Sequence, residues 1–560
     1  MPELQWNGKD AILNHHHSVP IRTLELDEPN SHAKNVDGWQ ASLDDNLIIT
    51  GDNLDAMKAL LPKYAGKVDV IYIDPPYNTG NEGWVYNDNV NSPMIKDWLG
   101  KTVGNDDLQR HDKWLCMMYP RLQLMKQLLK MGGGVIFVSI DDEEIGNLRV
   151  ILDELFGEQN RIGDFCITRA EGGGLAKKIV KGHDYLLAYT NSIETYQPLR
   201  REKDIRGQIV NINGDDFVIE TDWLRKEFGK YGNCHYEEIL SYYNQAKLDE
   251  VNAGLKTAKY VLVPQANGKS IVGRYKLLDG QSSKLHSVHK FLNKDGNAVL
   301  DDLNLGNIFD YPKPLKLLQY FLKSTSFSDQ EKNALVLDAF AGSGTTGHAV
   351  LKLNAEDGGN RKFILLQQPE ALTEGSPAYE AGFKTVDDIT RERIRRVIDG
   401  VPTAKDAQLQ AGLGGSFTAV TLGQAMHLQE LATLPESELP PRDALASWVF
   451  YNTTLQALPK VVTPNATHCI GETDTHTVHL LYEANVAFLR SSAGAFTLGL
   501  AERIAEQAKG NGKEAIVYAP MSFVDVKTIR QNKWNIRYCN LPYELLQVEA
   551  VKTPSTEPVS

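Results

Sequence analysis

Short apolar runs alternate with helical periodicities along much of the chain. Leu47-Ile48-Ile49 reads as a strand that ends in Gly51-Asp52-Asn53, and Leu54 to Leu61 has helical spacing. Val68 to Ile73 reads as a second strand, ending in Asp74-Pro75-Pro76-Tyr77. Trp114, Met118, Leu122, Met125 and Leu129 recur at helical spacing across 113–130. Gly132-Gly133-Gly134 interrupts that helix before an apolar strand, Val135 to Ile140, and a further helix over 141–156. The same alternation returns later. Leu315, Leu318 and Leu322 mark a helix, and Ala334 to Ala339 is a strand feeding Phe340-Ala341-Gly342-Ser343-Gly344-Thr345-Thr346-Gly347. A helix from His348, a strand over 362–366 and an arginine-rich helix over 389–399 follow. Strands alternating with helices predict an α/β fold: a doubly wound, mostly parallel sheet.

Other stretches lack that rhythm. Residues 1–45 are mostly polar and irregular, and 160–310 mix glycines, basic residues and aromatics with little periodicity, as expected of an inserted region. From about 401 the composition shifts, with strand-like runs at 476–490 and 514–519, which predicts a C-terminal α+β domain over 401–551. The tail 552–560 is expected to be disordered.

At roughly 150 residues per domain, 560 residues suggest three or four domains. The hydrophobic fraction of 42% and charged fraction of 23% exclude a disordered or fibrous chain. No run of 18 apolar residues occurs, and MPELQWNGKD has no signal-peptide pattern. Cys116, Cys166, Cys234, Cys469 and Cys539 form no CxxC pair, so a reducing cytoplasm is expected. The adjacent His15, His16 and His17 are expected to be a surface segment rather than a metal site, and no metal is expected elsewhere.

The net charge of -13 argues, taken whole, against a polyanionic partner. The distribution changes that picture. Residues 161–320 carry 23 Lys/Arg and 20 Asp/Glu, and residues 241–294 carry nine basic and three acidic residues. If nucleic acid binds, the middle of the chain is its expected floor.

Two loops carry candidate chemistry. The Gly-rich loop lies between a strand and a helix, where glycines permit sharp turns and close ligand approach and the helix offers unpaired N–H groups. Gly342 and Gly347 have P-loop spacing, but His348 stands where the lysine belongs and Ala349 where the hydroxyl belongs. Gly342, Gly344 and Gly347 meet the dinucleotide pattern GxGxxG, a weak signal alone. A cofactor without phosphates, such as S-adenosylmethionine, fits the missing lysine better. A plain strand–helix turn is the competing explanation. Asp74-Pro75-Pro76-Tyr77 ends an apolar strand, where open α/β sheets bind ligands. Its prolines remove two N–H donors, leaving the Asp74 carboxylate and the Pro75 carbonyl as acceptors beside the Tyr77 ring. Such a row suits a planar ring bearing an exocyclic amino group. A purely rigid surface turn is the alternative.

DPPYNTG together with FAGSGTTG resembles the amino-methyltransferases of DNA. The order of the two motifs is similar to β-class adenine methyltransferases, particularly the modification (Mod) subunits of Type III restriction systems. GDNLDAMKALLPKYAGKVDVIYIDPPYNTG, HDKWLCMMYPRLQLMK, GGVIFVSIDDEE, YPKP at 311–314 and AYEAGFKTVDDITRERIRRV extend the resemblance over about residues 40–400. It implies a permuted methyltransferase fold whose catalytic half spans 46–189 and cofactor half 306–400, with a target-recognition domain at 190–305 between them. The N-terminal segment is 1–45. S-adenosylmethionine is the implied cofactor, held by Asp52, Lys313, Pro314, Asp338, Phe340, Gly342, Ser343, Gly344, Thr345 and Glu370. Asp74, Pro75, Pro76 and Tyr77 are implied to hold a base flipped out of the duplex. Lys256, Lys259, Lys269, Arg274, Lys276 and Lys284, with Lys177 and Lys178, are expected to meet DNA phosphates. Double-stranded DNA is the expected partner, with a homodimer and a restriction subunit as further expectations. The short recognition region also fits a solitary methyltransferase. Cytosine-N4 or RNA adenine methylation, and a non-catalytic DNA-binding specificity subunit, stay open as alternatives.

Overall fold

The computed structural model describes residues 3–79, 109–171, 179–202, 208–213, 215–224, 234–277, 282–326, 331–426, 434–458 and 466–541. The strands of its main sheet are β1 (Arg22–Lys34), β2 (Leu47–Thr50), β3 (Val70–Ile73), β4 (Val135–Ile140), β5 (Arg161–Thr168), β6 (His183–Thr190), β7 (Val288–Lys290), β8 (Leu335–Asp338), β9 (Lys362–Gln367) and β10 (Gly415–Ala425). Their spatial order is β1-β10-β2-β9-β8-β3-β4-β6-β5-β7. From β10 to β4 every neighbouring pair is parallel. The central strands are short and covered on both faces, so they read as continuous apolar runs such as Val-Ile-Tyr-Ile and Leu-Val-Leu rather than as alternations.

Helices α1 (Asn53–Tyr64), α2 (Arg110–Leu128), α3 (Ile145–Phe156), α4 (Leu315–Thr325), α5 (Thr345–Asp357) and α6 (Val386–Asp399) accompany these strands. Local chemistry fixes their starts. The Asp52 carboxylate accepts from the Leu54 and Asp55 N–H groups at 2.8 and 3.3 Å and caps α1. Thr385 and Asp388 form a capping box for α6. One core runs beneath the sheet: Ile49, Ile71, Ile73, Val138, Leu337 and Leu366 pack with Leu54, Leu60, Trp114, Met118 and Leu152.

The weakly patterned stretches hold more regular structure than their sequence suggests. The first 45 residues contribute β1, a 13-residue strand at the sheet's edge. Its polarity reflects that edge position, and Pro29 sits in a register break between Asp27 and His32. His15 and His16 are 5% and 4% exposed, so two of the three histidines expected at the surface are buried, while His17 is exposed. The Lys58 ammonium donates to the His16 carbonyl at 3.1 Å, and burial lowers the His16 pKa to about 3. β5, β6 and β7 continue the main sheet, so part of the region read as inserted belongs to it. β5 has one partly exposed face, and its mixed polarity hides the strand. β10 also joins the main sheet, although it lies beyond residue 400.

Residues 198–285 form a separate compact unit. It holds a four-stranded antiparallel sheet in the spatial order 260–264, 270–277, 215–220, 209–212, and a helix, Gln245–Lys256. Trp223 stacks on Tyr260 at 4.8 Å in its small core. The C-terminal part carries helix α7 (Arg442–Thr454) and a second sheet of β11 (Cys469–Glu472), β12 (His476–Leu480), β13 (Glu514–Ala519) and β14 (Ile536–Asn540). It packs on the main sheet's helices: the Tyr451 hydroxyl donates to Gln127 Oε1 at 2.8 Å, and the Lys58 ammonium lies 5.4 Å from the Trp448 ring. Among the described residues no helix is long and apolar enough to cross a membrane.

Candidate active site

β3 and β8 are parallel neighbours, with Val70 beside Val336 and Ile71 beside Leu337. Their carboxyl ends therefore lie side by side. From β3 the chain passes to β4 on one side, and from β8 to β9 on the other. Such a reversal is a topological switch point, the place where open α/β sheets leave a crevice for ligands. The Asp74–Tyr77 turn and the Gly-rich loop flank it.

The Gly-rich loop is braced from behind. Asp338 is 3% exposed, and its carboxylate accepts from the Phe340 N–H at 3.0 Å and the Thr346 hydroxyl at 2.5 Å. Burial raises its pKa to about 7. This side chain shapes the loop from within. Gly342 and Gly344 have φ of +52° and +81°. A Cβ on Gly344 would also sit 3.2 Å from Thr390, so glycine serves both backbone and space there. The Gly342 N–H donates to Gln367 Oε1 at 2.8 Å, and the Thr390 hydroxyl donates to the Gly342 carbonyl at 2.5 Å. The Asn53 amide donates to the Ala339 carbonyl at 3.0 Å and accepts from Arg121 Nε at 2.6 Å. Ser343 and Thr345 direct their hydroxyls inward, where both accept from Arg393 Nη1 at 2.8 and 2.7 Å. What these two residues offer a ligand is backbone. Gln367, Thr390, Asn53, Arg121 and Arg393 escaped the sequence reading.

The Asp74–Tyr77 turn is braced more sparsely. The Trp114 indole N–H donates to the Pro76 carbonyl at 2.7 Å, while no described residue donates to the Pro75 carbonyl. Asp74 Oδ1 lies 3.1 Å from the Lys313 ammonium, but the pair lacks hydrogen-bond geometry and that oxygen is buried without a hydrogen bond. Lys313 also donates to the Tyr77 hydroxyl, and its ammonium is 4.7 Å from the ring centre. Burial, and next the Asp74 charge, hold the Tyr77 hydroxyl well above its usual pKa, so it stays protonated. Lys313, expected at the cofactor, here contacts Asp74 and Tyr77. Pro314 beside it is buried at the N-cap of α4. Behind the turn, Asn78 has φ of +61°, and its amide donates to the buried Glu144 carboxylate at 2.5 Å.

Asp52, Gln368 and Glu370 share a cavity of about 400 Å³ with Arg22 and Asp55. Asp52 is committed on two sides: it caps α1 and accepts from Gln368 Nε2 at 2.5 Å. Glu370 lies at the exposed rim.

The expected DNA contacts divide. Lys177 and Lys178 lie outside the described residues. Within the 198–285 unit, Lys256, Lys259, Arg274 and Lys284 are exposed, and Lys269 and Lys276 are half-buried. Lys269 pairs with Glu238 at 2.5 Å and Arg274 with Glu220 at 2.7 Å, so part of their charge is already matched. No cluster of three or more potential metal ligands occurs among the described residues.

A strand-tip crevice flanked by a glycine loop and an acceptor-rich aromatic turn defines a class of α/β nucleotide-cofactor enzyme. The DNA methylase family (N6_N4_Mtase) matches residues 68–374, more than half of the chain, and the chain belongs to that family. It is 34% identical over 442 residues to the Type III restriction-modification enzyme StyLTI Mod subunit of Salmonella typhimurium, a match covering 70% of this chain and 62% of that subunit. The chain thus spans less than two thirds of that relative's length. It is 30% identical over 444 residues to the Type II methyltransferase M.KpnI of Klebsiella pneumoniae, covering 71% of this chain and 99% of that enzyme. The EcoP15I Mod subunit of Escherichia coli is 28% identical over 460 residues, covering 70% of this chain and 68% of the relative.

Proposed function

We propose that this chain transfers a methyl group from S-adenosylmethionine to the exocyclic N6 of an adenine flipped out of double-stranded DNA. The observation that carries the reading is the adjacency of the two loops on β3 and β8. The loop chemistry fits the cofactor. A phosphate-binding loop needs a lysine, and His348 in its place is fully buried and held neutral by burial. The backbone of Phe340, Gly342 and Gly344 would hold the methionine end, with Asp52 and Glu370 toward the adenosine. When bound, the cofactor supplies an electrophilic methyl group on sulfur.

The remaining work falls to the Asp74–Tyr77 turn. The lone pair of an adenine amino group is delocalised into the ring, which makes it a poor nucleophile. The Asp74 carboxylate and the Pro75 carbonyl would accept its two hydrogens, favour a tetrahedral nitrogen and aim the lone pair at the neighbouring loop. Preorganised acceptors of this kind need no rearrangement at the moment of reaction. The Tyr77 ring would stack on the base, and the cost of unpairing is met by that contact and by phosphate binding. Lys313 donates to the Tyr77 hydroxyl and its ammonium lies 3.1 Å from Asp74 Oδ1, which leaves that oxygen free to accept from a base. Asp, rather than Ser, at position 74 favours adenine over cytosine.

The exposed lysines of the 198–285 unit would meet the phosphates, and the unit would read sequence. A homodimer, pairing with a restriction subunit and residence at the nucleoid in the cytoplasm are further parts of this proposal; relatives named as Mod subunits of Type III enzymes support the second. Sequencing DNA from cells that express the protein, with detection of modified bases, tests the reading. N6-methyladenine at one defined motif is expected. N4-methylcytosine, or unmodified DNA from a protein that binds S-adenosylmethionine, would overturn it.

A further inference from the structure

Behind the Gly-rich loop lies a cation that the proposed chemistry has not used. Arg393 of α6 is fully buried, yet no carboxylate lies within ion-pair distance of it among the described residues. The other arginines of this helix behave ordinarily: Arg391 pairs with Asp387 and Asp388, and Arg395 and Arg396 pair with Glu392. Arg393 meets only neutral groups. Its Nη1 donates to the Ser343 and Thr345 hydroxyls, its Nη2 lies 3.5 Å from His348 Nδ1, and its Nε has no hydrogen bond. His348 cannot balance the charge, since burial keeps it neutral and its own Nε2 is also buried without a partner.

A buried charge without a counter-charge is costly. This one is placed unfavourably in a second way. α5 begins at Thr345 and has no side-chain cap, so its unpaired N–H groups give that end a positive potential. Arg393 adds a full positive charge to the end of the helix that already repels cations. Both terms become favourable together only when an anion sits on the loop's outer side. The arrangement also explains how the loop manages without a P-loop lysine. The cation is not missing; it has been moved from in front of the backbone to behind it, where it cannot crowd the ligand.

We infer that Arg393 is a positioning and electrostatic residue of the cofactor site: it holds Ser343 and Thr345 from behind and makes the loop selective for a ligand carrying a carboxylate at its amino-acid end. The inference rests on the reading of the loop as an S-adenosylmethionine site and adds what the loop recognises in it. The attraction acts through the loop in a dry interior, where charges are weakly screened. The matching anion on S-adenosylmethionine is its α-carboxylate.

Calorimetric titration of the full chain with S-adenosylmethionine and with its decarboxylated form, which lacks only that carboxylate, tests this. Wild type is expected to favour the carboxylated ligand at least tenfold. Arg393→Met and Arg393→Gln are expected to bring the ratio below about threefold, with the affinity for the carboxylated ligand falling more than that for the decarboxylated one. Arg393→Lys is expected to restore most of the preference. Should the neutral variants not fold, Ser343→Ala with Thr345→Val frees the guanidinium without removing it, and a fall in the ratio of threefold or more is expected. A wild-type ratio near one overturns the inference alone and leaves the cofactor reading standing. An unchanged ratio in a folded neutral variant, or in the tether variant, overturns it too. Failure of wild type to bind either ligand instead overturns the cofactor reading.

Discussion

The two loops at the switch point are built in opposite ways. Around the Gly-rich loop the turn itself is held at several points: Gln367 takes the Gly342 N–H, Thr390 serves the Gly342 carbonyl, Asn53 serves the Ala339 carbonyl, and Asp338 and Arg393 tie the turn from below. Around the Asp74–Tyr77 turn a buried carboxylate oxygen lacks a hydrogen bond, a carbonyl has no described donor, and one lysine bridges acid and phenol. A loop that binds the same ligand in every cycle gains from being fixed in advance. A turn that must receive and release a base keeps acceptors open, and holds them open at an energetic cost.

The sharpest way to break this contrast is to remove an acceptor from the open side. Asp74→Ala is expected to lower methyl transfer by at least ~10²-fold, the usual scale for loss of one transition-state partner, with the cofactor Kd nearly unchanged. Initial rates with tritiated methyl donor, beside a calorimetric titration, read both. Removing a brace from the closed side should do the reverse. Gln367→Ala leaves the Gly342 N–H without a partner, a loss of ~1–3 kcal/mol that is expected to weaken cofactor binding about tenfold or more. An unchanged Kd would mean that the brace is idle.

Acidification probes a region outside both loops. His16 has a pKa of about 3 in the folded chain, against about 6.5 for an unperturbed histidine. Below pH 6.5 the unfolded chain takes up a proton that the folded chain refuses, so stability falls as pH drops from 6.5 toward 3. His16→Gln is expected to remove ~2 kcal/mol of the stability change between pH 6.5 and 4.5, read by denaturant titration at each pH. The smallest effect is assigned to Lys313→Met. If Lys313 belongs to the open side, the substitution alters the kinetics with DNA and leaves the cofactor Kd within about threefold, the scale of a change remote from a ligand. A tenfold loss of cofactor affinity would return Lys313 to the closed side.

Much of this contrast could be read from the chain, and the part that could not has physical causes. Asp74-Pro75-Pro76-Tyr77 and the glycine loop announce themselves because their residue types are constrained by backbone geometry, and Val70–Ile73 and Leu335–Asp338 because strands buried on both faces are uniformly apolar. β1 and β5 were obscure because an edge strand and a half-exposed strand carry polar residues. Lys313 carried no spatial cue, since its contacts with Asp74 and Tyr77 join positions more than 230 residues apart. Arg393 was hidden among arginines. Its signal was periodicity: Ile389, Thr390, Arg393, Ile394 and Val397 fall on one buried face of α6, while Arg391, Arg395 and Arg396 do not. The inserted unit showed its charge but not its pairing, so Lys269 and Arg274 read as open when Glu238 and Glu220 already face them.

The most direct measurement is mass spectrometry of nucleosides from duplex DNA incubated with S-adenosylmethionine and either wild-type protein or Asp74→Ala. A base held by Asp74 beside the neighbouring loop predicts N6-methyladenine with wild type and none above background with the variant, which still binds S-adenosylmethionine. N6-methyladenine at the wild-type rate from Asp74→Ala would contradict the account.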